Sequence, residues 1–176
     1  LDGVLLDVCP IALVAGEAAF DAATALNAVW AERAIANDAR HGSYGADPLG
    51  TLAQQGSLHE PLDTALARAI ALAKTSLPMP NVTAMTADGV VYHAAGASEA
   101  QELATMLATL VAYLRAGERA GIAPNDMLAQ ITVALAADAD QFATIAKLRA
   151  ARKLVWRVAD ACGAGEVAAK VKISVP

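Results

Sequence analysis

Apolar residues in this chain form short continuous runs and, between them, long stripes with helical spacing. The runs Val82–Ala87 and Ile131–Ala136 have the length and composition of buried strands. After each of them, apolar residues recur every three or four positions, which is the period of a helix with one packed face. Two strand–helix units in tandem predict a wound α/β fold.

The first long helix has clear signals at both ends. Asp88-Gly89 ends the preceding strand, and Val90–Gly96 carries the chain over the carboxyl end of that strand. Ser98-Glu99-Ala100-Gln101 can form a capping box, so the helix begins there. Its apolar stripe consists of Leu103, Met106, Leu107, Leu110, Val111 and Leu114. Gly117 and Gly121 predict the end of this helix.

The second long helix is rich in basic residues. Pro124 begins a short helical turn before the strand, and the helix itself starts at Asp138 or Asp140 and stops at Gly163. Its apolar positions are Phe142, Ile145, Leu148, Val155, Trp156 and Ala159. The basic residues between them are Lys147, Arg149, Arg152, Lys153 and Arg157. We predict that the guanidinium groups of this helix are solvated or paired with one of the two aspartates rather than in contact with a substrate.

The remaining segments predict further helices and three more strands. Leu13–Ala39 has apolar residues at helical spacing, and Ser57–Pro61 begins a helix that continues until Pro78 and Pro80 enforce an extended connection. Asp47 lies in a Gly-Ala-Asp-Pro turn and is predicted to be a local cap. The strand candidates in chain order are Val4–Val8, a weak one at His41–Ala46, Val82–Ala87, Ile131–Ala136 and Lys170–Val175.

Composition excludes several classes of partner and chemistry. The chain has 13 basic and 18 acidic residues, so no nucleic-acid partner is expected. The apolar run Val4–Ala15 is interrupted by Asp7 and Pro10 and is too short to span a bilayer. Cys9 and Cys162 lack the spacing of metal ligands, so we expect inert packing residues in a reduced, cytoplasmic chain. Phosphate-binding glycine loops, nucleophile elbows and zinc motifs are absent from the sequence.

Two segments resemble the methylmalonyl-CoA mutase family. Ala94–Ala104, followed by Tyr113-Leu114-Arg115, is similar to the middle of that family's barrel. Asp140–Arg152 is similar to the family's barrel helix F-x-x-I-A-K-x-R-A-x-R in residue type and spacing. The similarity is strong from about Gly45 to Gly163 and weak before that. The family's catalytic domain is a (β/α)8 barrel that binds acyl-CoA along its axis, and a separate cobalamin domain is stacked on it.

The resemblance implies an α/β, helix-rich chain that forms part of a (β/α)8 TIM-type barrel. A complete barrel typically needs about 250 residues, whereas this chain has 176. Residues 1–176 are therefore expected to be a single incomplete barrel segment, about half of one, from a larger protein and without a cobalamin-binding domain. Open strand edges are expected to make such a half-barrel associate, or to make it only part of the folded unit.

Positions that catalytic members of the family use differ here. Those members carry a strand-end pattern S-G-Y-H-x-Q-E-A-G-A, whose histidine donates a hydrogen bond to the substrate carbonyl. Aligned on Gly96-Ala97, this chain has Val91 at that histidine, and His93 follows two positions later. At the next strand, catalytic members have R-x-S-F-F, in which the arginine and serine hold CoA. This chain has Gln130 and Thr132 there, and a neutral amide cannot replace a bidentate guanidinium.

These losses, together with the absence of an R-N-T-Y element near Gly45–Gly50, imply a non-catalytic small subunit. The implied partner is the catalytic large subunit of a heterodimeric mutase, which interconverts methylmalonyl-CoA and succinyl-CoA. The D-x-H-x-x-G motif, whose histidine coordinates cobalt, is absent. Adenosylcobalamin is therefore expected in the partner, and no cofactor or metal in this chain. We predict no catalytic residue, and at most weak acyl-CoA binding through His93, Gln130 and Thr132.

Two alternatives remain open at the level of sequence. One is a fragment of a catalytic acyl-CoA mutase, an isomerase, with substituted active-site residues. The other is an unrelated (β/α) barrel that binds a small molecule. His93 is also open to two interpretations, either a residue of a ligand pocket at a strand's carboxyl end or a loop histidine bonded to backbone. Activity of the isolated chain is therefore left undecided.

Overall fold

The computed structural model describes residues 1–176 and contains one five-stranded sheet. The strands are β1 (Ile11–Ala12), β2 (Gly42–Ala46), β3 (Val82–Asp88), β4 (Ile131–Ala134) and β5 (Lys172–Ser174). They are arranged in chain order, and all four neighbouring pairs are parallel. Right-handed connections between such strands place the helices on one face of the sheet. The sheet curls into part of a barrel, so the predicted helix-rich half-barrel is confirmed.

Eight helices connect and cover the strands. They are α1 (Ala19–Glu32), α2 (Pro48–Gln55), α3 (Leu62–Ser76), α4 (Val90–Ala94), α5 (Glu99–Arg119), α6 (Pro124–Ala129), α7 (Gln141–Ala161) and α8 (Gly165–Ala168). Single 3₁₀ turns at Gly16–Ala18 and Asn37–Ala39 precede and follow α1. The two longest helices, α5 and α7, follow the central strands β3 and β4, as the tandem strand–helix pattern predicts.

The core lies between the sheet and the helices. All four residues of β4 and five of the seven residues of β3 are buried, as expected for the central strands of the sheet. They belong to a cluster of 34 buried residues that also includes Trp30, Tyr44 and Tyr113. The many alanines of this cluster allow the helices to lie close to the strands.

Side-chain caps set the starts of three helices. The Ser98 hydroxyl accepts from the Gln101 amide at 3.5 Å, and the Gln101 side chain accepts from the Ser98 backbone N–H at 2.9 Å. Asp140 accepts from the Ala143 N–H at 3.0 Å at the start of α7. Asp47 caps α2 by accepting from the Gly50 N–H at 2.9 Å. All three caps are predicted by the sequence and confirmed by the structure.

The predicted boundaries near the N-terminus are wrong. Val4–Val8 is not a strand, because its backbone forms turns in which the carbonyl of Leu5 accepts from the Val8 and Cys9 N–H groups at 3.1 and 2.8 Å. The first strand is instead Ile11–Ala12. The helix predicted over Leu13–Ala39 is too long at both ends, since left-handed backbone at Gly16 and Ala34 interrupts it. The short helix α2 follows the Asp47 cap and is not predicted.

The apolar positions predicted for α7 do not all lie on one packed face. Val155 and Ala159 are buried, whereas Phe142 is 85% exposed and Trp156 is 46% exposed. The buried positions are Lys147, Ala151, Val155 and Ala159, which repeat every four residues. Alanine at two of these four positions lets α7 lie close to the neighbouring elements, and several of its large apolar side chains lie outside. The exposed Arg149 and Arg152 form no ion pair, so the prediction of solvated guanidiniums is confirmed.

Gly117 does not end α5, contrary to prediction. It lies inside the helix and is buried, and the helix continues to Arg119. A Cβ atom at Gly117 would overlap the Met127 side chain, so glycine permits the close packing of α5 against α6. Gly121 has a φ of +77° and follows the end of the helix, which agrees with its predicted role.

Candidate functional site

The carboxyl ends of the central strands bring acidic side chains to one edge of the sheet. Asp47 follows β2, Asp88 ends β3, and Asp138 lies in the loop after β4. The Asp88 carboxylate accepts from the Val90 N–H at 2.7 Å and so holds the start of α4. Burial raises the pKa of Asp88, and the carboxylate of Glu102 adds to this rise. Barrel enzymes place their chemistry at this edge, which makes it the first place to examine.

A buried ion pair lies beneath this edge. The Nζ atom of Lys147, on α7, donates to Oε2 of Glu102, on α5, at 2.6 Å, and both side chains are fully buried. The other carboxylate oxygen, Oε1, accepts from the Ala136 backbone N–H at 2.6 Å. Gly89 lies so close to Glu102 that a Cβ atom there would touch its side chain. The pair thus joins α5, α7 and the loop after β4, and Lys147 is not free to bind a ligand.

His93 faces carboxylates at the same edge. Its Nδ1 atom lies 3.3 Å from Oε2 of Glu102, outside hydrogen-bonding geometry, and its Nε2 atom lies 4.0 Å from Oδ2 of Asp138. About a quarter of the side chain is exposed. Val91 lies on the same helix as His93, α4. It is half-buried, and its side chain offers only an isopropyl group. A role for His93 in substrate binding stays a prediction, but its surroundings are anionic.

The other two predicted site residues lie on β4 and just before it. The Thr132 hydroxyl is 2.7 Å from the Thr83 hydroxyl on the neighbouring strand, and both residues are buried. Gln130 precedes the amino end of β4; it is buried, and its side-chain oxygen has no hydrogen-bond partner. The structure therefore does not gather the three predicted residues at one place, because His93 lies at the opposite end of the sheet from Gln130.

A polar cavity of about 410 Å³ crosses the face of the sheet that carries no helices. Residues of β1, β2, β4 and β5 line it, and the polar ones are His41, Ser43, Asn81, Thr132, Lys172 and Ser174. The Lys172 ammonium donates to the Asn81 carbonyl at 3.0 Å, and partial burial lowers its pKa. Barrel interiors are usually filled by bulky branched side chains. Hydroxyls and an ammonium group here leave room for a polar ligand.

A second buried polar contact joins β2 to α5. The Tyr113 hydroxyl donates to Oδ1 of Asp47, the residue that also caps α2, and it accepts from the Leu49 N–H at 3.2 Å. Burial raises the pKa of Asp47 from 3.8 to about 6, against the opposing effect of its hydrogen bonds. Burial also raises the pKa of Tyr113 well above its ordinary value, and the neighbouring Asp47 adds to the rise. Asp47 is thus largely neutral below about pH 6, whereas the Tyr113 hydroxyl keeps its proton well into the alkaline range.

Comparison with known proteins identifies the family. The family profile described as methylmalonyl-CoA mutase matches residues 1–174. This chain belongs to the methylmalonyl-CoA mutase family. It is 46% identical over 164 residues to the methylmalonyl-CoA mutase small subunit of Streptomyces virginiae, a match that covers 93% of this chain and 26% of the relative. It is 37% identical over the same length to a probable methylmalonyl-CoA mutase small subunit of Mycobacterium tuberculosis strain H37Rv, with the same coverage.

A match over a shorter part of the chain carries the large-subunit name. The methylmalonyl-CoA mutase large subunit of Streptomyces virginiae is 39% identical over 84 residues, which covers 48% of this chain and 11% of that relative. The matches that cover nearly all of this chain carry the small-subunit name. The chain spans about a quarter of the length of those relatives, 26% in each case.

The ligand-type side chains of the chain are scattered. No three His, Cys, Asp or Glu side chains lie close enough together to hold a metal ion. Cys9 and Cys162 are free and exposed, so the prediction that they are packed is wrong. None of the helices is long and apolar enough to cross a membrane.

The functional features that sequence reasoning missed are contacts between distant residues. Glu102 and Lys147 are 45 positions apart, and Asp47 and Tyr113 are 66 apart. One local signal could have indicated Lys147, since it shares its four-residue spacing with Ala151, Val155 and Ala159 and so lies on the packed ridge of the helix.

Proposed function

We propose that this chain is part of a non-catalytic small subunit of an adenosylcobalamin-dependent methylmalonyl-CoA mutase. Its role is to support a catalytic large subunit that interconverts methylmalonyl-CoA and succinyl-CoA in the cytoplasm. The observation that carries this proposal is Val91, which stands in α4 where the resemblance to catalytic chains calls for a histidine. An isopropyl group cannot donate a hydrogen bond to a thioester carbonyl, so this edge of the sheet lacks the donor that the reaction needs.

Charge at the carboxyl edge supports the same conclusion. The carboxylates of Glu102 and Asp138 face His93, Asp88 lies at the same edge, and the one lysine nearby pairs with Glu102. Methylmalonyl-CoA and succinyl-CoA each carry a free carboxylate next to the reacting carbons. An anionic edge repels that carboxylate, which disfavours productive binding of either acyl group.

The CoA-binding positions are weakened as well. Gln130 is buried, so its amide cannot reach a phosphate group in solution, and it carries no charge. The Thr132 hydroxyl is engaged with Thr83. These contacts support at most weak binding of acyl-CoA. We expect adenosylcobalamin in the large subunit, because the D-x-H-x-x-G motif is absent from this sequence.

A fragment of a catalytic acyl-CoA mutase is the second candidate, and the polar cavity on the open face of the sheet favours it. Lys172 and the hydroxyls of Ser43, Thr132 and Ser174 could contact a pantetheine chain in that cavity. Membership of the mutase family argues against the third candidate, an unrelated small-molecule binder.

Calorimetric titration of succinyl-CoA distinguishes the two candidates. We expect no heat of binding for the chain alone, and turnover with adenosylcobalamin only when the large subunit is present and forms a stoichiometric complex with the chain. Micromolar binding by the chain alone, lost in Lys172→Ala and Thr132→Val but kept in the matched surface variant Lys74→Ala, would support the catalytic candidate instead. Failure of the chain to join the large subunit would overturn the proposed role.

A further inference from the structure

A cavity of about 350 Å³ lies between the starts of α1 and α3, at the carboxyl end of β2. All of its lining residues lie within residues 16–21, 46–51 and 58–69. None of them belongs to β1 or β5, the two edge strands of the sheet. The cavity is therefore enclosed by neighbouring elements that all belong to this chain, and it is separate from the polar cavity on the open face of the sheet.

Two buried polar side chains that line this cavity have hydrogen-bonding capacity left over. Asp47 is 8% exposed, and its Oδ1 atom accepts from Tyr113 and Gly50, whereas its Oδ2 atom is buried and has no partner. Thr51 is 7% exposed, and its hydroxyl bonds to no other group of the chain. Buried polar groups of folded proteins are nearly always hydrogen-bonded. Two such groups on one cavity wall indicate that a bound molecule completes their hydrogen bonds.

Glu17, in the segment before α1, supplies a third acceptor to the cavity. Its Oε2 atom accepts from the backbone N–H of His59 at 2.9 Å and lies 2.6 Å from Nδ1 of the same residue. These hydrogen bonds lower the pKa of Glu17, so the side chain is ionised at neutral pH. Its Oε1 atom bonds to no other group of the chain, and 23% of the side chain is exposed. One oxygen of an ionised carboxylate is therefore available to a ligand.

The lining of the cavity is acidic. Four carboxyl groups line it against one arginine, which leaves a surplus of three acidic groups. The acidic residues are Glu17, Asp21, Asp47 and Glu60. The arginine, Arg68, donates to Glu60 at 2.9 Å and stacks on the Phe20 ring at 4.5 Å from its centre. The starts of α1 and α2 add roughly half a positive charge each, which is less than the acidic surplus. The cavity therefore favours a cation and disfavours a phosphate or carboxylate ligand.

We propose that this cavity binds a small organic molecule that carries a primary ammonium group. An ammonium has three N–H donors and no acceptor, and Oδ2 of Asp47, the Thr51 hydroxyl and Oε1 of Glu17 are three acceptors without a donor. Hydrogen bonds from an ammonium to carboxylates are about twice as strong as neutral ones. Seven of the 16 lining residues are apolar, and five of those are alanine, so the rest of the ligand is a small apolar body.

Titration of phenethylamine, followed by the chemical shifts of the backbone amides, tests this site. The amine carries an ammonium group at neutral pH and a small apolar body, and phenethyl alcohol is its uncharged counterpart. We expect submillimolar binding of the amine, with shifts concentrated in residues 16–21 and 46–51, and binding of the alcohol that is at least about tenfold weaker. Phenylacetate, which has the opposite charge, should not bind.

Three variants connect the binding to the proposed acceptors. Asp47→Asn and Glu17→Gln remove a charge and keep the shape of the side chain, so each should weaken amine binding about tenfold. Thr51→Val removes only the hydroxyl and should weaken it about threefold. The matched control is Asp63→Asn, an exposed carboxylate in the first turn of α3 that does not line the cavity, and it should leave the affinity unchanged. Circular dichroism checks that each variant is folded.

Several results would overturn the proposal. No binding of the amine at millimolar concentrations would mean that water alone completes the buried groups. Equal binding of amine and alcohol would mean that charge does not select the ligand, and unchanged affinity in Asp47→Asn and Thr51→Val would place the amine elsewhere. The titration is repeated on the chain in complex with the large subunit, where loss of binding would show that the cavity is covered in the assembly. Failure to form that complex would count against the proposed function alone, since the titration of the isolated chain still decides this proposal.

Discussion

The most perturbed acidic residue of this chain is Asp47. It is 8% exposed, and it accepts hydrogen bonds from the Tyr113 hydroxyl and the Gly50 N–H. The backbone donors and the hydroxyl lower the pKa, whereas burial and the carboxylate of Asp88 raise it. Burial is the larger effect, so the pKa rises from 3.8 to about 6. A side chain that caps a helix is thus kept largely neutral below that pH.

Asp47 therefore makes the stability of the fold depend on pH. Because the folded state raises its pKa, the contribution of the neutral form is fully present below about pH 4 and is lost as the pH rises through about 6. The loss amounts to about 3 kcal/mol, since the shift is roughly two units. The unfolding free energy of wild type, measured in urea relative to Asp47→Asn, should fall by that amount between pH 4 and 7. A difference that does not change with pH would show that Asp47 titrates normally.

Whether the sequence can predict a residue's role depends on how far along the chain its partner lies. Asp47 is recognisable as a cap because its partner, the Gly50 N–H, lies three positions away. Its bond to Tyr113 spans 66 positions, and no local pattern indicates it. Lys147 is one of the basic residues between the apolar positions of α7, and only the position of Glu102 in space shows why this lysine is buried.

At the scale of elements, local signals predict most helix starts and the central strands. The starts of α5 and α7 follow Ser98 and Asp140, and they are predictable because a capping side chain and its N–H partner lie within one helical turn. The first strand is predicted at Val4–Val8 but lies at Ile11–Ala12, where its register is set by pairing with β2. A strand of two residues is too short to show an alternation or a run of apolar residues in the sequence. The polar cavity depends on four strands at once, so the spacing of residues in the sequence does not reveal it.

Two glycines of β2, Gly42 and Gly45, lie against the backbone of β1 or of the residue after it, and Gly45 also has left-handed backbone. Gly45 has a φ of +66° and lies within the register irregularity between Ser43 and Ala46. A Cβ atom at this position would overlap the carbonyl oxygen of Leu13, which follows β1. Glycine is therefore required both by the left-handed backbone and by the close approach of the neighbouring chain.

Gly45→Ala should destabilise the fold by about 3 kcal/mol, because backbone strain and overpacking both contribute. Gly56→Ala is the matched control, since Gly56 has a φ of +77° and no neighbour within 4 Å of the added carbon. That change carries the backbone strain alone, about 1 kcal/mol. Urea midpoints at an unchanged slope measure the difference. Equal losses for the two variants would mean that β1 moves aside without cost.

At the scale of the whole molecule, the buried ion pair holds two strand–helix units together. Glu102 belongs to the unit of β3 and α5, and Lys147 belongs to the unit of β4 and α7. The same carboxylate also fixes the Ala136 N–H in the loop between β4 and α7. Barrel enzymes place their chemistry at this edge, whereas here the charges of Glu102 and Lys147 stabilise the fold.

Removal of one partner of this pair should be far more costly than removal of both charges. Lys147→Met leaves the Glu102 carboxylate buried without its counter-ion, which should cost about 3–5 kcal/mol of unfolding free energy. Glu102→Gln with Lys147→Met keeps an acceptor for the Ala136 N–H and buries no charge, so it should recover more than half of that loss. The control is Lys153→Met on the exposed side of α7, expected to change stability by less than about 0.5 kcal/mol. Urea unfolding of the four chains, with amide exchange at Ala136, gives the comparison. If Lys147→Met is no less stable than Lys153→Met, the two units are joined by apolar packing alone, and the ion pair has no part in holding the carboxyl edge together.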